Sequence, residues 1–253
     1  MERITSSHNP LVQHMRKLQT SRAYRESCGE FVADGWKLLE EALKWYPEVT
    51  AVLTSEPERC PALPASARLV EVPASLMQSV SSMRTPQGVL FSLRLPQEGA
   101  LRVQPGMLLL DRIQDPGNLG TIIRSAYAFG YDTILLSEGC ADPYNEKVIR
   151  STQGALFHLC IRSCSLPDAV NDLKQRGVPI YATALHKDSI PLAQLSVPDT
   201  FAVLFGNEGQ GVSEELLAMS DATLFIEMER FESLNVAVAA GITLYEMKQK
   251  RHP

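Results

Sequence analysis

Residues 201–213 read FAVLFGNEGQGVS, and the junction at Phe205-Gly206 decides how the second half of this chain folds. The short apolar run FAVLF predicts a strand buried on both faces. A glycine-rich loop directly after such a strand lets backbone N–H groups approach a ligand, as in phosphate cradles. Its centre, however, holds Glu208. A carboxylate among those N–H groups competes with and repels a phosphate, so either the loop takes an uncharged or cationic ligand or its likeness to a phosphate cradle is accidental. The glycines also run GxxGxG, not GxGxxG, and the helix expected in SEELLAMS is too short for an ordinary mononucleotide-binding unit. A dinucleotide enzyme is therefore disfavoured.

Outward from that junction, apolar strands and amphipathic helices alternate. MLLLD is followed by the helical GNLGTIIRSAYAFG, then DTILLS, a helix around NEKVIRSTQGA, a strand FHLCI, the helix PDAVNDLKQRG and the strand PIYATAL. After FAVLFG come the short helix, ATLFIEM and a last helix in SLNVAVAAGITLYEMKQK. Such alternation predicts a mostly parallel sheet covered on both faces, with ligands beyond the carboxyl ends of its strands. Upstream of LPQEGALRVQPG, whose Pro96, Gly99, Pro105 and Gly106 mark a linker, the strands EFVADG, VTAVLTS, RLVEVP and GVLFSLRL and the helix WKLLEEALKWY predict a smaller α/β unit behind two short N-terminal helices. The expected domains are 1–98 and 104–253.

Three segments fall at strand ends: DRIQDPGNLG, GNEGQG and ERFESLN. In the first, Asn118 is placed to cap the following helix, whose buried face is Leu119, Ile122, Ile123 and Ala126. Arg124 lies off that stripe, either as an ordinary surface arginine or with its guanidinium reaching the strand-end crevice. In the third, Ser233 can begin the last helix with Asn235 in its first turn, and Ala237, Ala239, Ala240 and Gly241 offer a smooth face for close packing.

In that order, NLGTIIR at 118–124, GNEGQG at 206–211 and SLNVAVA at 233–239 resemble the SpoU/TrmH family of RNA ribose 2′-O-methyltransferases. SSHNPLV, EFVADGWKLLEEAL and the TPQG of Thr85 to Gly88 resemble the family's N-terminal substrate-binding domain. The resemblance implies a SPOUT-type α/β fold with a deep trefoil knot, S-adenosylmethionine as cofactor and a homodimer. It places Asn118, Arg124, Glu208 and Asn235 around the reacting ribose, and Gly206, Ile226 and Leu234 against the cofactor. Glu208 there could hold Arg124 by charge-assisted hydrogen bonds, and the cofactor's sulfonium resolves the puzzle of a carboxylate among glycines. A guanidinium is a poor general base, which favours phosphate positioning for Arg124. One departure is Glu227, which stands where the family commonly has proline, before a shorter loop through Phe231 and Glu232.

Composition fits this reading. The 253 residues are 45% hydrophobic, carry a net charge of −5 and show neither a secretory leader nor an apolar run long enough to span a membrane, so a cytoplasmic protein is expected. Five cysteines without CxxC spacing support neither a disulfide framework nor a zinc site. Arg3, Arg16, Lys17, Arg22 and Arg25 concentrate positive charge near the start and are candidate contacts to rRNA or tRNA, and the end is basic too, with Lys248, Lys250, Arg251 and His252. The alternatives are a SPOUT nucleobase methyltransferase and a noncatalytic RNA-binding protein on the same scaffold.

Overall fold

The computed structural model describes residues 2–97, 101–185, 188–230 and 233–251. Gly99, Phe231, Glu232 and His252, and the domain limits at 98 and 253, lie outside the described residues. The chain forms two compact units, Met1–Gln97 with Tyr144–His158, and Glu98–Pro143 with Leu159–Pro253.

The first unit runs β1 (Glu2–Arg3), α1 (Pro10–Thr20), α2 (Arg22–Cys28), β2 (Glu30–Asp34), α3 (Trp36–Trp45), β3 (Val49–Thr54), β4 (Arg68–Glu71), α4 (Ala74–Val80) and β5 (Val89–Arg94). Its sheet has the order β1-β4-β3-β5-β2, with β5 antiparallel to both neighbours. The register pairs Asp34 with Leu90 and Thr54 with Val89. The ends of β2 and β3 therefore meet the start of β5 on one edge. Helix α1 starts where Asn9 caps the Leu11 N–H, and Pro10 fits the first turn because it has no N–H to satisfy. Its Val12, Met15 and Leu18 recur at helical spacing and pack on Val32, Leu53, Val70 and Leu90 of the sheet.

The chain then enters the second unit with β6 (Met107–Leu110), α5 (Pro116–Phe129) and β7 (Thr133–Leu136). It returns to the first unit for α6 (Glu146–Thr152), where the Tyr144 ring lies 4.8 Å from that of Phe31 and His158 Nε2 is 2.7 Å from Glu41 Oε1. The strand expected in FHLCI begins only at Cys160, because Ala155–His158 close a 3-10 turn. The second unit continues with β8 (Cys160–Ser163), α7 (Leu166–Gln175), β9 (Ile180–Thr183), β10 (Ile190–Pro191), β11 (Ala202–Phe205), α8 (Glu214–Met219), β12 (Ala222–Phe225) and α9 (Val236–Arg251).

Its seven-stranded sheet has the order β10-β12-β9-β11-β6-β7-β8, and every pairing is parallel. β6, β7 and β11 are buried at every position, as their unbroken apolar runs require. Leu119, Ile122, Ile123 and Ala126 form the buried stripe of α5. Gly241 of α9 passes close to Ser125 of α5, and the buried Tyr131 hydroxyl donates to the Leu244 carbonyl at 3.0 Å. β11 and β6 are neighbours at the middle of this sheet, so the loops that leave them are neighbours too.

Candidate active site at the strand ends

The loop after β6 and the glycine loop after β11 meet through Glu208. Asn118 Nδ2 donates to Glu208 Oε1 at 2.9 Å, and the backbone N–H groups of Asp115 and Gln114 lie 3.3 and 3.5 Å from its two oxygens. Asn235 Nδ2 in turn donates to Asn118 Oδ1 at 3.0 Å. Three residues from three strand-end segments thus form one chain of hydrogen bonds. Burial opposes the charge on Glu208, but donation from Asn118, from its own N–H and from the Asp115 and Gln114 N–H groups outweighs it and holds the carboxyl below the ordinary carboxylate range.

The two asparagines have exchanged their expected places. Asp115, not Asn118, caps α5: its side chain accepts from the Asn118 N–H, with Pro116 in the first turn. That leaves the Asn118 amide free for Glu208 and Asn235. Asn235, expected inside the last helix, precedes it, and its Oδ1 accepts from the Ala237 and Val238 N–H groups at 3.0 and 3.3 Å. One side chain both starts α9 and anchors Asn118.

Behind the triad lies a scaffold of polar residues. Asn207 Nδ2 donates to the Arg112 carbonyl at 2.9 Å while its Oδ1 accepts from the Gly209 and Gln210 N–H groups. Asp111, 4% exposed, accepts from the Arg112 guanidinium, the Ser213 N–H and the Ser137 hydroxyl. Arg112 adopts φ 55°, a left-handed conformation that non-glycine residues rarely take, and its guanidinium also reaches Gln210 Oε1 at 2.9 Å. At Gly206 there is no room for a side chain, since a Cβ would fall inside the contact shells of Gly211 and Val212 backbone atoms. Backbone therefore forms the wall there.

That wall bounds a cavity of about 340 Å³, within the range of roughly 300–1,000 Å³ usual for small-molecule sites. Gly206, Ile226 and Leu234 all line it, as do Glu208, Thr183, Met228 and Thr243. A mostly apolar wall, backbone brought close at Gly206 and one ionised carboxylate at the rim suit an uncharged ring system carrying a cationic centre.

The predicted cations are placed differently. Arg124 is exposed on α5 and makes no hydrogen bond or ion pair among the described residues. Glu208 does not hold it, because that carboxylate is taken up by Asn118 and main-chain donors. Arg25 is withdrawn as a nucleic-acid contact: it is 3% exposed, and its guanidinium donates to the Leu18 and Gln19 carbonyls at the end of α1. Arg3 lies 3.7 Å from Glu71, Arg22 pairs with Glu26 at 2.8 Å, and Arg16 donates to Ser79. Lys17 lies over the Tyr24 ring, 5.5 Å from its centroid. Among the described residues no cluster of three or more metal-ligating side chains forms.

Residues 105–245 match the model of the SpoU rRNA Methylase family, and residues 9–90 match the MRM3-like substrate binding domain. The chain belongs to the SpoU rRNA methylase family. It is 37% identical to the 23S rRNA (guanosine(2553)-2′-O)-methyltransferase RlmP of Bacillus subtilis, over 98% of this chain and all of that one. A putative RNA methyltransferase of the TrmH family from Porphyromonas gingivalis superposes with a TM-score of 0.88 at 32% identity, covering 94% of this chain and 97% of its own. The AdoMet-bound rRNA methyltransferase from Sinorhizobium meliloti gives 0.88 at 28% identity, over 98% of this chain and 97% of its own. S-adenosylmethionine is the cofactor of this SpoU fold.

Sequence reasoning missed the scaffold of this SpoU site, namely Asp111, Arg112 and Asn207. A signal for Asp111 was present: a carboxylate closing the otherwise apolar strand MLLLD must be buried, hence hydrogen-bonded. Nothing in residue type marked Arg112 for positive φ.

Proposed function

We propose that this SpoU-family protein methylates a ribose 2′-hydroxyl of 23S rRNA in the cytoplasm, working as a homodimer. The observation that carries the reading is the chain Asn235–Asn118–Glu208 at the rim of the cavity. S-adenosylmethionine, when bound, supplies an electrophilic methyl group on a sulfonium. Gly206, Ile226 and Leu234 would hold it through backbone and apolar contacts, and Glu208 supplies the complementary negative charge.

Glu208 is not the proton acceptor in this reading. A carboxylate held below its ordinary range is too weak a base for a hydroxyl. It fixes the Asn118 amide instead, so that amide hydrogens remaining on Asn118 and Asn235 can orient the ribose oxygen toward the cavity, and alignment of this kind supplies much of a methyl-transfer rate. Arg124, exposed and unpaired among the described residues, holds the adjacent phosphate with its planar fork. The ribose oxygen so oriented would take up that methyl group, and its proton would pass to water.

The dimer is supported by a stripe on α9: Val238, Ile242 and Tyr245 are 50%, 40% and 51% exposed and recur at helical spacing, and Tyr127 of α5 is 42% exposed. The trefoil knot belongs to the same reading, supported by segments around 183–185, 206–211, 226–228 and 233–236 that converge on one cavity. A structure with cofactor bound would trace that thread. The activity is tested by transfer of labelled methyl from S-adenosylmethionine to in vitro transcribed 23S rRNA. One alkali-resistant linkage is expected, and label on a base instead of the ribose overturns the reading.

A further inference from the structure

Of the glycine loop 206–211, every residue lines the cavity except Gln210. Its exposed side chain turns to the neighbouring loop, where Arg112 Nη1 donates to Gln210 Oε1 at 2.9 Å. A guanidinium has no acceptor, so the amide oxygen must face it, and both Nε2 hydrogens of Gln210 stay uncommitted among the described residues. Neither the hydrogen-bonded triad nor the cavity uses this pair.

Arg112 is fixed firmly for a loop arginine. Its Nε and Nη2 each donate to one oxygen of the buried Asp111 at 3.1 Å. Its N–H donates to Ser137 Oγ at 2.8 Å and its carbonyl accepts from Asn207 Nδ2 at 2.9 Å, so the φ of 55° is held from both sides. Gly139 leaves room for the stem, since a Cβ there would lie 3.4 Å from Arg112 Cγ. A strained backbone that its surroundings over-determine in this way is a mark of functional placement. Asp111 and Gln210 take three of the guanidinium hydrogens, which leaves one on Nη1 and one on Nη2, in a side chain 33% exposed. The corner therefore presents donors only.

Charge and position decide what meets these donors. Asp111 neutralises the guanidinium, and the ionised Glu208 stands two residues from Gln210, so the corner has no surplus positive charge to hold a phosphate. Neutral acceptors suit it better. Arg112 is two residues before Gln114, whose N–H lies 3.5 Å from Glu208 Oε2, and two residues of chain span at most about 7 Å. An unstacked base on the ribose that Asn118 and Asn235 orient has this corner within reach.

We propose that Arg112 and Gln210 read the base of the nucleotide being methylated and select guanine. Its N7 and O6 are adjacent acceptors and match a pair that only donates, whereas adenine sets an amino group beside N7, cytosine offers an amino group, and uracil shows a single acceptor there. The inference rests on the RNA ribose methyltransferase reading and deepens it by naming the side chains that choose the nucleotide.

The test first maps the 2′-O-methylated position in in vitro transcribed 23S rRNA by alkaline resistance. It then measures kcat/KM on the same RNA carrying guanosine, adenosine or 7-deazaguanosine at that position. The parent should favour guanosine over adenosine by about ten- to a hundredfold, the range for one bidentate contact, and 7-deazaguanosine, which lacks the N7 acceptor, should fall between them. Gln210→Ala should shrink the guanosine-over-adenosine ratio about tenfold, with cofactor affinity unchanged by calorimetry because residue 210 does not line the cavity. Gln210→Glu keeps an acceptor for Arg112 but turns the outward group from donor to acceptor, so its ratio should move further, toward adenosine. A residue that only braced Arg112 would lower the rate on both nucleotides equally. A methylated nucleotide other than guanosine, equal parent rates on guanosine and adenosine, or variants that keep the parent ratio would overturn the inference and leave the methyltransferase reading intact. The first two outcomes are read on the parent and need no variant to fold. A parent that leaves the ribose unmethylated overturns both.

Discussion

Asp34 and Glu208 are both carboxylates at the carboxyl end of a strand, Asp34 as the last residue of β2 and Glu208 in the loop after β11, and their surroundings push them in opposite directions. Asp34 is buried with a single hydroxyl donor, and burial first, then the nearby Glu146, raises its pKa to about 6 against the opposing effects of Ser81 and Arg150. Glu208 has a side-chain amide and several main-chain N–H groups around it and stays below its ordinary range. The supply of donors, not the residue type, decides the charge. The second unit keeps a full negative charge beside a cavity suited to a cation, whereas the first leaves its carboxyl short of donors and more easily neutralised.

Arg124 is the cation that sits on the wrong side of this contrast, and its removal is the largest expected effect. Arg124→Ala should keep the fold and cofactor affinity, because the side chain is exposed and does not line the cavity. Turnover with RNA saturating should fall about 10²–10³-fold, the range for losing one preorganised charge-stabilising group. Lysine should restore only part, since it lacks the planar fork. Single-turnover methyl transfer measures this, and a parent-like rate returns Arg124 to the ordinary surface.

Gly206→Ala tests whether the second edge owes its ligand to backbone approach. A Cβ would collide with Gly211 and Val212 main chain, so the glycine loop must shift, taking Glu208 with it. Cofactor affinity by calorimetry should drop on the order of a hundredfold, about 2.7 kcal/mol. An alanine variant that binds normally would mean that the loop is softer than its packing implies.

Asp111→Ala removes the buried acceptor of Arg112, Ser137 and Ser213. A loss of about 3 kcal/mol is expected, since the Ser213 N–H and the Ser137 hydroxyl lose their buried acceptor and Arg112, 33% exposed, loses its carboxylate while keeping Gln210. For a chain of this size that is a fall in melting temperature of about 6–12 °C by calorimetry. Little change would show that the scaffold behind Glu208 is redundant.

Much of this contrast was legible in the residues, and the unread part has identifiable physical causes. The strands of the second unit announced themselves because burial on both faces demands unbroken apolar runs, and α5 because its stripe recurs at helical spacing. The capping assignments failed at Asp115, Asn118 and Asn235 because aspartate and asparagine cap almost equally well, and only tertiary hydrogen bonds select among them. Helix α6 gave the same pattern whether it covered the second sheet or the first: Val148 and Ile149 require burial without naming the partner. Arg25 looked like one more surface cation, since its carbonyl acceptors exist only once α1 and α2 have folded against each other. The cavity residues Gly206, Ile226 and Leu234 were reached through family motifs, and their convergence depends on β11 lying beside β6, which no local pattern encodes.

The smallest expected effect, and the most direct test of donor supply, comes from pH. Because the folded-state pKa of Asp34 is raised from 3.8 to about 6, its protonated form is favoured in the folded protein. Its contribution to stability is full below pH 3.8 and is lost as pH rises through about 6. The full shift corresponds to about 3 kcal/mol, at about 1.4 kcal/mol per unit, of which about 2 kcal/mol is lost between pH 4.5 and pH 8. Asp34→Asn keeps an acceptor for the Ser81 hydroxyl, cannot ionise and carries no such dependence. Relative to the parent, the asparagine variant should therefore gain about 2 kcal/mol between pH 4.5 and pH 8, a relative rise in melting temperature of about 4–8 °C. Thermal unfolding of the two proteins across that interval measures the difference. A gap that stays constant with pH would show that Asp34 finds further donors in solution and ionises as readily as Glu208, and the contrast between the two edges would then lose its electrostatic basis.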